Sequence, residues 1–295
     1  MAKNLQFPKI LELNLAVLFI STSGVLGRYI TLNPFVTIFY RTLLAVILFY
    51  IFCRWKKLDL RISTGRDLLK IALSGLLMTG HWVAYFFALR YSNVAIGILS
   101  LFTYPVVTAF LEPLLLKTKF SKSHLALGLL VLCGIYFLVP EISFQNNYTV
   151  AVLLGILSGI FYALRNILMK QEIEKYHGSV LMMYQIAVVT VVLSPVLFFS
   201  NFDDVVLQWA PLLTLAIVTT CIGHTLFLIS LRNFSATAAS IMSSAQPLYA
   251  IILGIIFLAE YPSLKTIIGG TLIIGAVIIE SMRSLRKKAA VEGID

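Results

Sequence analysis

The chain has 295 residues, of which 59% are hydrophobic and 12% charged, with a formal net charge of +10. An ordinary soluble domain carries about 45–50% apolar and about 25% charged residues, so a water-soluble fold is excluded: it would leave apolar surface that nothing covers. The positive charge does not mark a nucleic-acid binder, because the Lys and Arg residues sit in short connectors rather than on an amphipathic stripe with interleaved aromatics.

Dividing the sequence at its polar and Pro- or Gly-containing connectors predicts spans over 10–29, 34–53, 67–90, 94–117, 122–140, 149–170, 179–200, 208–231, 235–258 and 263–283. Each is close to the roughly 20 apolar residues that carry a helix across the hydrocarbon core, where every backbone N–H and C=O must be satisfied inside the segment. The expected fold is therefore all-α and integral to the membrane, with ten transmembrane helices. The first span follows Lys3 and Lys9 like a secretion signal, but it is long enough to cross and is kept as a helix. The second holds Arg41, and the third holds His81, Trp82 and Tyr85. The fourth contains Tyr104, Pro105, Glu112 and Pro113. In the sixth, Gly155 and Gly159 form a small-residue face for a neighbouring helix, followed by Tyr162 and Arg165. His224 lies in the eighth span, and Gln246 and Pro247 in the ninth. Cys53, Cys133 and Cys221 are odd in number and match neither a disulfide framework nor a metal-ligand spacing, so no metal or cofactor is expected.

With the N-terminus inside, all Lys and Arg residues except Arg28, Arg41, Arg90, Arg165 and Lys265 fall in cytoplasmic segments. Positive residues are retained on that side, so both termini are expected to be cytoplasmic. Two stretches also read alike. Arg90 and Arg232, Pro105 and Pro247, and Gly128 and Gly270 share one offset, 142, while His81 and His224 are offset by one residue more. The implied units are 1–142 and 143–295. Five spans per unit is an odd number, so the second unit must enter the membrane from the opposite side, which makes the repeat inverted. Inverted repeats place a binding site near the midplane between the halves and expose it alternately to each side.

Phe39-Tyr40-Arg41, Tyr104-Pro105, Gln246-Pro247, and Ala259-Glu260 leading into Gly269-Gly270-Thr271-Leu272-Ile273-Ile274-Gly275 occur in an order and spacing that resemble the EamA family of the drug/metabolite transporter superfamily. The resemblance covers nearly the whole chain. It implies ten helices in two five-helix repeats and export of amino acids or other metabolites, without ATP hydrolysis, in a bacterial inner membrane. One departure is visible: Thr118 stands where such proteins often carry an acidic residue matching Glu260, and Glu112 lies earlier.

Ionisable groups inside spans are costly, about 2.5–3.5 kcal/mol at a helix centre, so each is a site candidate with a partner to be found. The planar fork of Arg41 suits a substrate carboxylate, or else a structural ion pair. Arg165 is placed to snorkel toward the interface or to pair with Glu112. An imidazole ordinarily titrates near neutral pH, so His81 and His224 are candidates for proton coupling, together with Glu112 and Arg165, or for substrate contact. Trp82, Tyr85, Tyr104, Tyr162 and Gln246 are candidates for lining a polar-aromatic cavity. Partners are expected to be a small-molecule substrate, protons and the lipid bilayer, with no nucleic acid; a monomer is compatible with the sequence. An enzyme is disfavoured, since HExxH, paired-Asp, Ser-Lys and Walker lysine signatures are lacking. A lipid-linked substrate carrier or scramblase on the same fold is the alternative reading.

Overall fold

The computed structural model describes residues 2–116, 123–138 and 145–292, and every regular element among them is helical. Helix α1 spans Ala2–Tyr29 and α2 Pro34–Trp55. The start of α2 follows from its sequence: Pro34 pre-sets the first turn, and the Asn33 side chain accepts from the Phe35 N–H at 3.0 Å. Thr64 caps α3 (Gly65–Tyr91) by accepting from Asp67 N, and Asn93 caps α4 (Val94–Leu101) by accepting from Ile96 N at 2.9 Å. After α5 (Tyr104–Leu116) and α6 (Ser123–Leu138) come α7 (Asn147–Glu172) and α8 (Gly178–Leu193), the last running into a 3-10 turn over Ser194–Phe198. Then follow α9 (Phe202–Leu207) and α10 (Trp209–Thr214), a π-helical stretch Leu215–His224, and α11 (Thr225–Ser230). A further pass joins α12 (Ala236–Met242), a 3-10 turn Ser243–Ala245 and α13 (Gln246–Leu258), and α14 covers Leu264–Glu292.

Eight stretches are long and apolar enough to cross a bilayer, and the described apolar parts of α6 and α14, Gly128–Leu138 and Leu264–Ala276, are shorter. Three predicted spans differ internally from a plain helix. The run 94–117 breaks between α4 and α5 at Phe102 and Thr103, just ahead of Pro105, and the run 235–258 breaks at Ser243–Ala245 ahead of Pro247. A proline lacks the N–H that would continue the ladder, and its ring excludes the preceding carbonyl from the helix. The run 208–231 widens into the π stretch, a feature that single-residue propensity does not encode. Residues 202–207, read as connector, form α9. Thr118 and the Lys117, Lys119 and Lys122 cluster lie outside the described residues.

Helix α7 packs on α3 and on both α4 and α5; α1 packs on the π stretch and on α13; α2 meets α8, and α6 meets α14. Leu69, Leu73, Leu76, Leu129, Leu132, Ile252, Ile256 and Phe257 point outward. Such an apolar exterior around a buried polar interior fits a protein whose solvent is lipid, and the chain is an integral membrane protein.

At the Lys/Arg-rich end, the fully buried Glu172 pairs with Lys70 at 2.9 Å and Lys175 at 3.2 Å, and Lys175 also reaches Asp67 at 2.9 Å. Tyr176 donates to Asp67 Oδ2, tying the 172–178 connector to α3. Hydrogen bonding and attraction from Asp67 and Glu172 raise the Lys175 pKa above its usual value of 10.5. A cation with a raised folded pKa contributes stability below the unfolded value and loses it as pH climbs through the folded one. Melting temperature should therefore fall in strongly alkaline buffer above about pH 10.5 in the parent, and that part of the decline should be missing in Lys175→Met.

Candidate functional site

At the middle of the bundle, six passes converge on a closed cavity of about 10 Å³, lined by Ile20 and Ser23 of α1, His81, Trp82 and Tyr85 of α3, and Leu101 and Tyr104 at the α4–α5 break, with Tyr162 of α7, His224 of the π stretch and Gln246 at the start of α13 on the other side. A volume of that size is about what one water requires, so the walls are collapsed on one another. The two helix breaks lie at this depth. Breaking a membrane helix is tolerated where the freed backbone lines a cavity, and here it sets Tyr104 and Gln246 at the wall.

Aromatic rings are in contact throughout the site. His81 stacks on Tyr162 at 4.4 Å and lies parallel to Tyr85 at 6.3 Å, while Trp82 meets His224 edge-on at 5.3 Å and Tyr104 meets Tyr162 edge-on at 5.1 Å. His81 Nδ1 is 2.7 Å from Ser158 Oγ, which donates its own proton to the His81 carbonyl at 2.9 Å. Ser158 must therefore accept from Nδ1–H, leaving Nε2 of a neutral His81 as an acceptor. His224 Nδ1 is buried with no hydrogen-bond partner.

Arg41 is completely buried immediately behind this wall. Its guanidinium carbon stacks 4.1 Å from the Trp82 ring centroid, and Nε donates to Thr220 Oγ1 at 2.7 Å. Among the described residues, Nη1 and Nη2 have no hydrogen-bond partner. Thr220 and His224, four residues apart on one face of the π stretch, are both buried and turned to the interior. Above Arg41, Thr37, Phe86, Arg28 and Arg90 line a second, larger cavity of about 160 Å³.

Arg165 does not snorkel and does not pair with Glu112. It is fully buried, with Nε donating to Gln185 Oε1 at 2.7 Å and Nη1 to Asn166 Oδ1 at 3.0 Å. Its position on α7 faces α8 rather than the interface, and the polar side chains already there hold it in place. Glu112 instead caps α12: its carboxylate accepts from Ala236 N at 3.2 Å, Thr237 N at 2.9 Å, and the Thr237 hydroxyl. Glu260 does the same for α4, accepting from Val94 N at 2.8 Å while pairing with Arg28 at 2.9 Å. Each acidic residue thus caps the first short helix of the other broken pass, although Glu112 stands six residues before the place that matches Glu260, one turn inside α5. Glu112→Ala leaves buried donors of α12 unsatisfied and should cost about 1–3 kcal/mol, read as a lowered melting temperature in detergent.

Of the residues singled out from sequence, His81, Trp82, Tyr85, Tyr104, Tyr162, His224 and Gln246 line one cavity and Arg41 abuts it, whereas Glu112 and Arg165 stand apart. Ser158, Thr220 and Gln185 were missed. Ser158 precedes Tyr162, and Thr220 precedes His224, by about one helical turn, so both were legible from that spacing; Gln185, on a different helix from its partner Arg165, was not.

The profile of the EamA-like transporter family matches residues 9–139 and again residues 149–282. An uncharacterized transporter of Archaeoglobus fulgidus is 28% identical over 214 residues, covering 72% of this chain and 76% of its own. The pseudopaline exporter CntI of Pseudomonas aeruginosa is 25% identical over 271 residues, covering 90% of this chain and 93% of its own. A solved crystal structure superposes with a TM-score of 0.70 at 16% identity, over 95% of this chain and 98% of that one, which supports the fold alone. Matched twice over by one family profile and built around a buried polar cavity in an apolar bundle, the chain belongs to the EamA-like transporter family of the drug/metabolite transporter superfamily.

Proposed function

We propose that the protein is a secondary carrier of ten transmembrane passes in two inverted five-helix halves, with cytoplasmic termini, moving amino acids or related small polar metabolites across a bacterial inner membrane by alternating access. The observation that carries this reading is the closed central cavity, whose wall is shared between residues before position 142 and residues after it. Exchanging the halves also exchanges their contacts: α7 against α3 corresponds to α1 against the π stretch, and α7 against α5 corresponds to α1 against α13. The contacts of α2 with α8 and of α6 with α14 map onto themselves. The reciprocal caps of Glu112 and Glu260 obey the same exchange. Such a two-fold arrangement suits rocking of one half against the other around a fixed site. Outward movement is favoured by the relative named as an exporter.

Arg41, His81, Trp82, Tyr85, Tyr104, Tyr162, His224 and Gln246 make up the substrate site in this reading, with the two histidines supplying proton coupling. Uptake of a panel of labelled amino acids into proteoliposomes, with and without an imposed pH gradient, tests it. Saturable transport of one class is expected, with gradient dependence weakened in His224→Gln. Absence of transport for soluble solutes, accompanied by movement of a labelled lipid-linked sugar, would replace this reading with the lipid-carrier alternative.

A further inference from the structure

The bundle interior has a charge imbalance. Arg41 and Arg165 are both completely buried, and among the described residues no carboxylate pairs with either. The in-span acid that would neutralise them, Glu112, is committed to α12. A buried cation is normally retained only beside an opposite charge. Arg165 at least has hydrogen-bond partners on all three nitrogens, in Gln185, Asn166 and Met182. Arg41 leaves both terminal nitrogens empty among the described residues, and a second unpartnered nitrogen of the site, His224 Nδ1, belongs to a ring that meets the same Trp82 edge-on at 5.3 Å. A guanidinium with one edge occupied by Thr220 and Trp82 beneath it still presents, among the described residues, a two-nitrogen fork, the geometry that receives a carboxylate or phosphate through two parallel hydrogen bonds.

The approach to Arg41 carries the same sign. The 160 Å³ cavity above it is lined by Arg28 and Arg90 with no carboxylate on its wall. Arg28 is matched by Glu260, whereas Arg90 donates only to the Thr31 and Leu32 carbonyls, at 3.3 and 3.0 Å, and keeps its charge uncompensated. Thr37 lies one helical turn before Arg41, and Phe86 touches both spaces: it lines this cavity and its ring centre is 5.8 Å from the Arg41 guanidinium. A cationic vestibule, an aromatic partition and a cationic seat follow one another. Clefts lined by one sign of charge concentrate solutes of the other.

Resting on the carrier reading above, we propose that the carried solute bears a net negative charge, and that its acidic group docks on Nη1 and Nη2 of Arg41 after entering past Arg90 and Phe86. A zwitterion brings its own cation to the site and leaves the interior as positive as before; a net anion cancels the charge of Arg41. Carboxylate and phosphate share this chemistry.

Matched solutes of equal shape and different charge test the inference: L-glutamate against L-glutamine, succinate against succinamide, and glycerol 3-phosphate against glycerol, with L-lysine as the cationic member. Uptake of each into proteoliposomes bearing the intact protein is measured together with the charge moved. Transport of an anionic member in preference to its neutral partner is expected, the carboxylate and phosphate arms telling the two groups apart. In Arg41→Gln that transport should fall roughly thirty-fold or more, with a smaller loss in Arg41→Lys, which keeps the charge but not the fork. Should Arg41→Gln fail to fold, the comparison within each pair on the intact protein decides alone. Transport of only neutral or cationic members overturns the anionic assignment and leaves the carrier reading standing. Silence across every charge class defeats both.

Discussion

Arg41→Met is expected to abolish transport while leaving the protein as stable as its parent or more so. The two effects separate because Arg41 is expensive to the fold and useful only to a ligand. Its guanidinium is wholly buried with two nitrogens unsatisfied, held by one hydrogen bond to Thr220 and by the face of Trp82. Met fills nearly the same volume, keeps the contact with Trp82, and removes an uncompensated charge; comparable replacements of buried ions by apolar side chains are neutral or stabilising by about 1–4 kcal/mol. Thr220 keeps an alternative acceptor in the Leu215 carbonyl at 3.3 Å, so the substitution does not orphan it. Thermal unfolding in detergent and proteoliposome flux, measured on the same preparation, check the prediction. A clear drop in melting temperature would mean that Arg41 is a structural element rather than a binding group.

Gly155→Val should have the largest effect on folding. A Cβ at Gly155 would lie 2.6 Å from Ser100 Cβ, closer still to Ser100 Oγ, and 3.2 Å from the Leu101 N–H nitrogen. One turn on, a Cβ at Gly159 would meet the Leu101 carbonyl at 2.9 Å. Ser100 cannot simply turn aside, because its hydroxyl is bonded to the Ile96 and Gly97 carbonyls within α4. Helix α7 thus touches the α4–α5 break backbone to backbone, which is how Tyr104 and Tyr162 come within 5.1 Å of each other. Two methyl groups there must push the helices apart or distort the break, at a cost of roughly 3 kcal/mol or more for an overpacked close approach. The measurement is the yield of monodisperse protein and its unfolding temperature. Gly65→Val, where a Cβ meets nothing within 4 Å, serves as the control for the substitution itself.

Much of this protein is legible one residue at a time. Helix starts at Pro34, Gly65 and Val94 announce themselves through Asn33, Thr64 and Asn93, because capping is local chemistry between a side chain and the next turn. Apolar runs of membrane length fix the class of fold, since no other backbone arrangement satisfies its polar groups in lipid. Costly residues inside those runs also identified most of the cavity wall, from His81 to Gln246, because a polar side chain at that depth must face protein.

Partnerships between helices were not legible. Sequence allowed Glu112 to meet Arg165, yet α3, packed against both α7 and α8, brings them close enough for Arg165 to reach Gln185, and Glu112 is left to cap α12. The seat of Arg41 depends on Thr220, which the packing of the Leu215–His224 stretch against α1 and α2 sets beside it, a contact that no local signal in α2 announces. By itself, then, the sequence determined which segments enter the membrane and which residues are too polar to face lipid, because both are decided by each segment's own free energy in the bilayer. Only the tertiary structure decided which of those residues keep a free hydrogen-bonding edge, because that depends on which neighbour from another helix reaches them first.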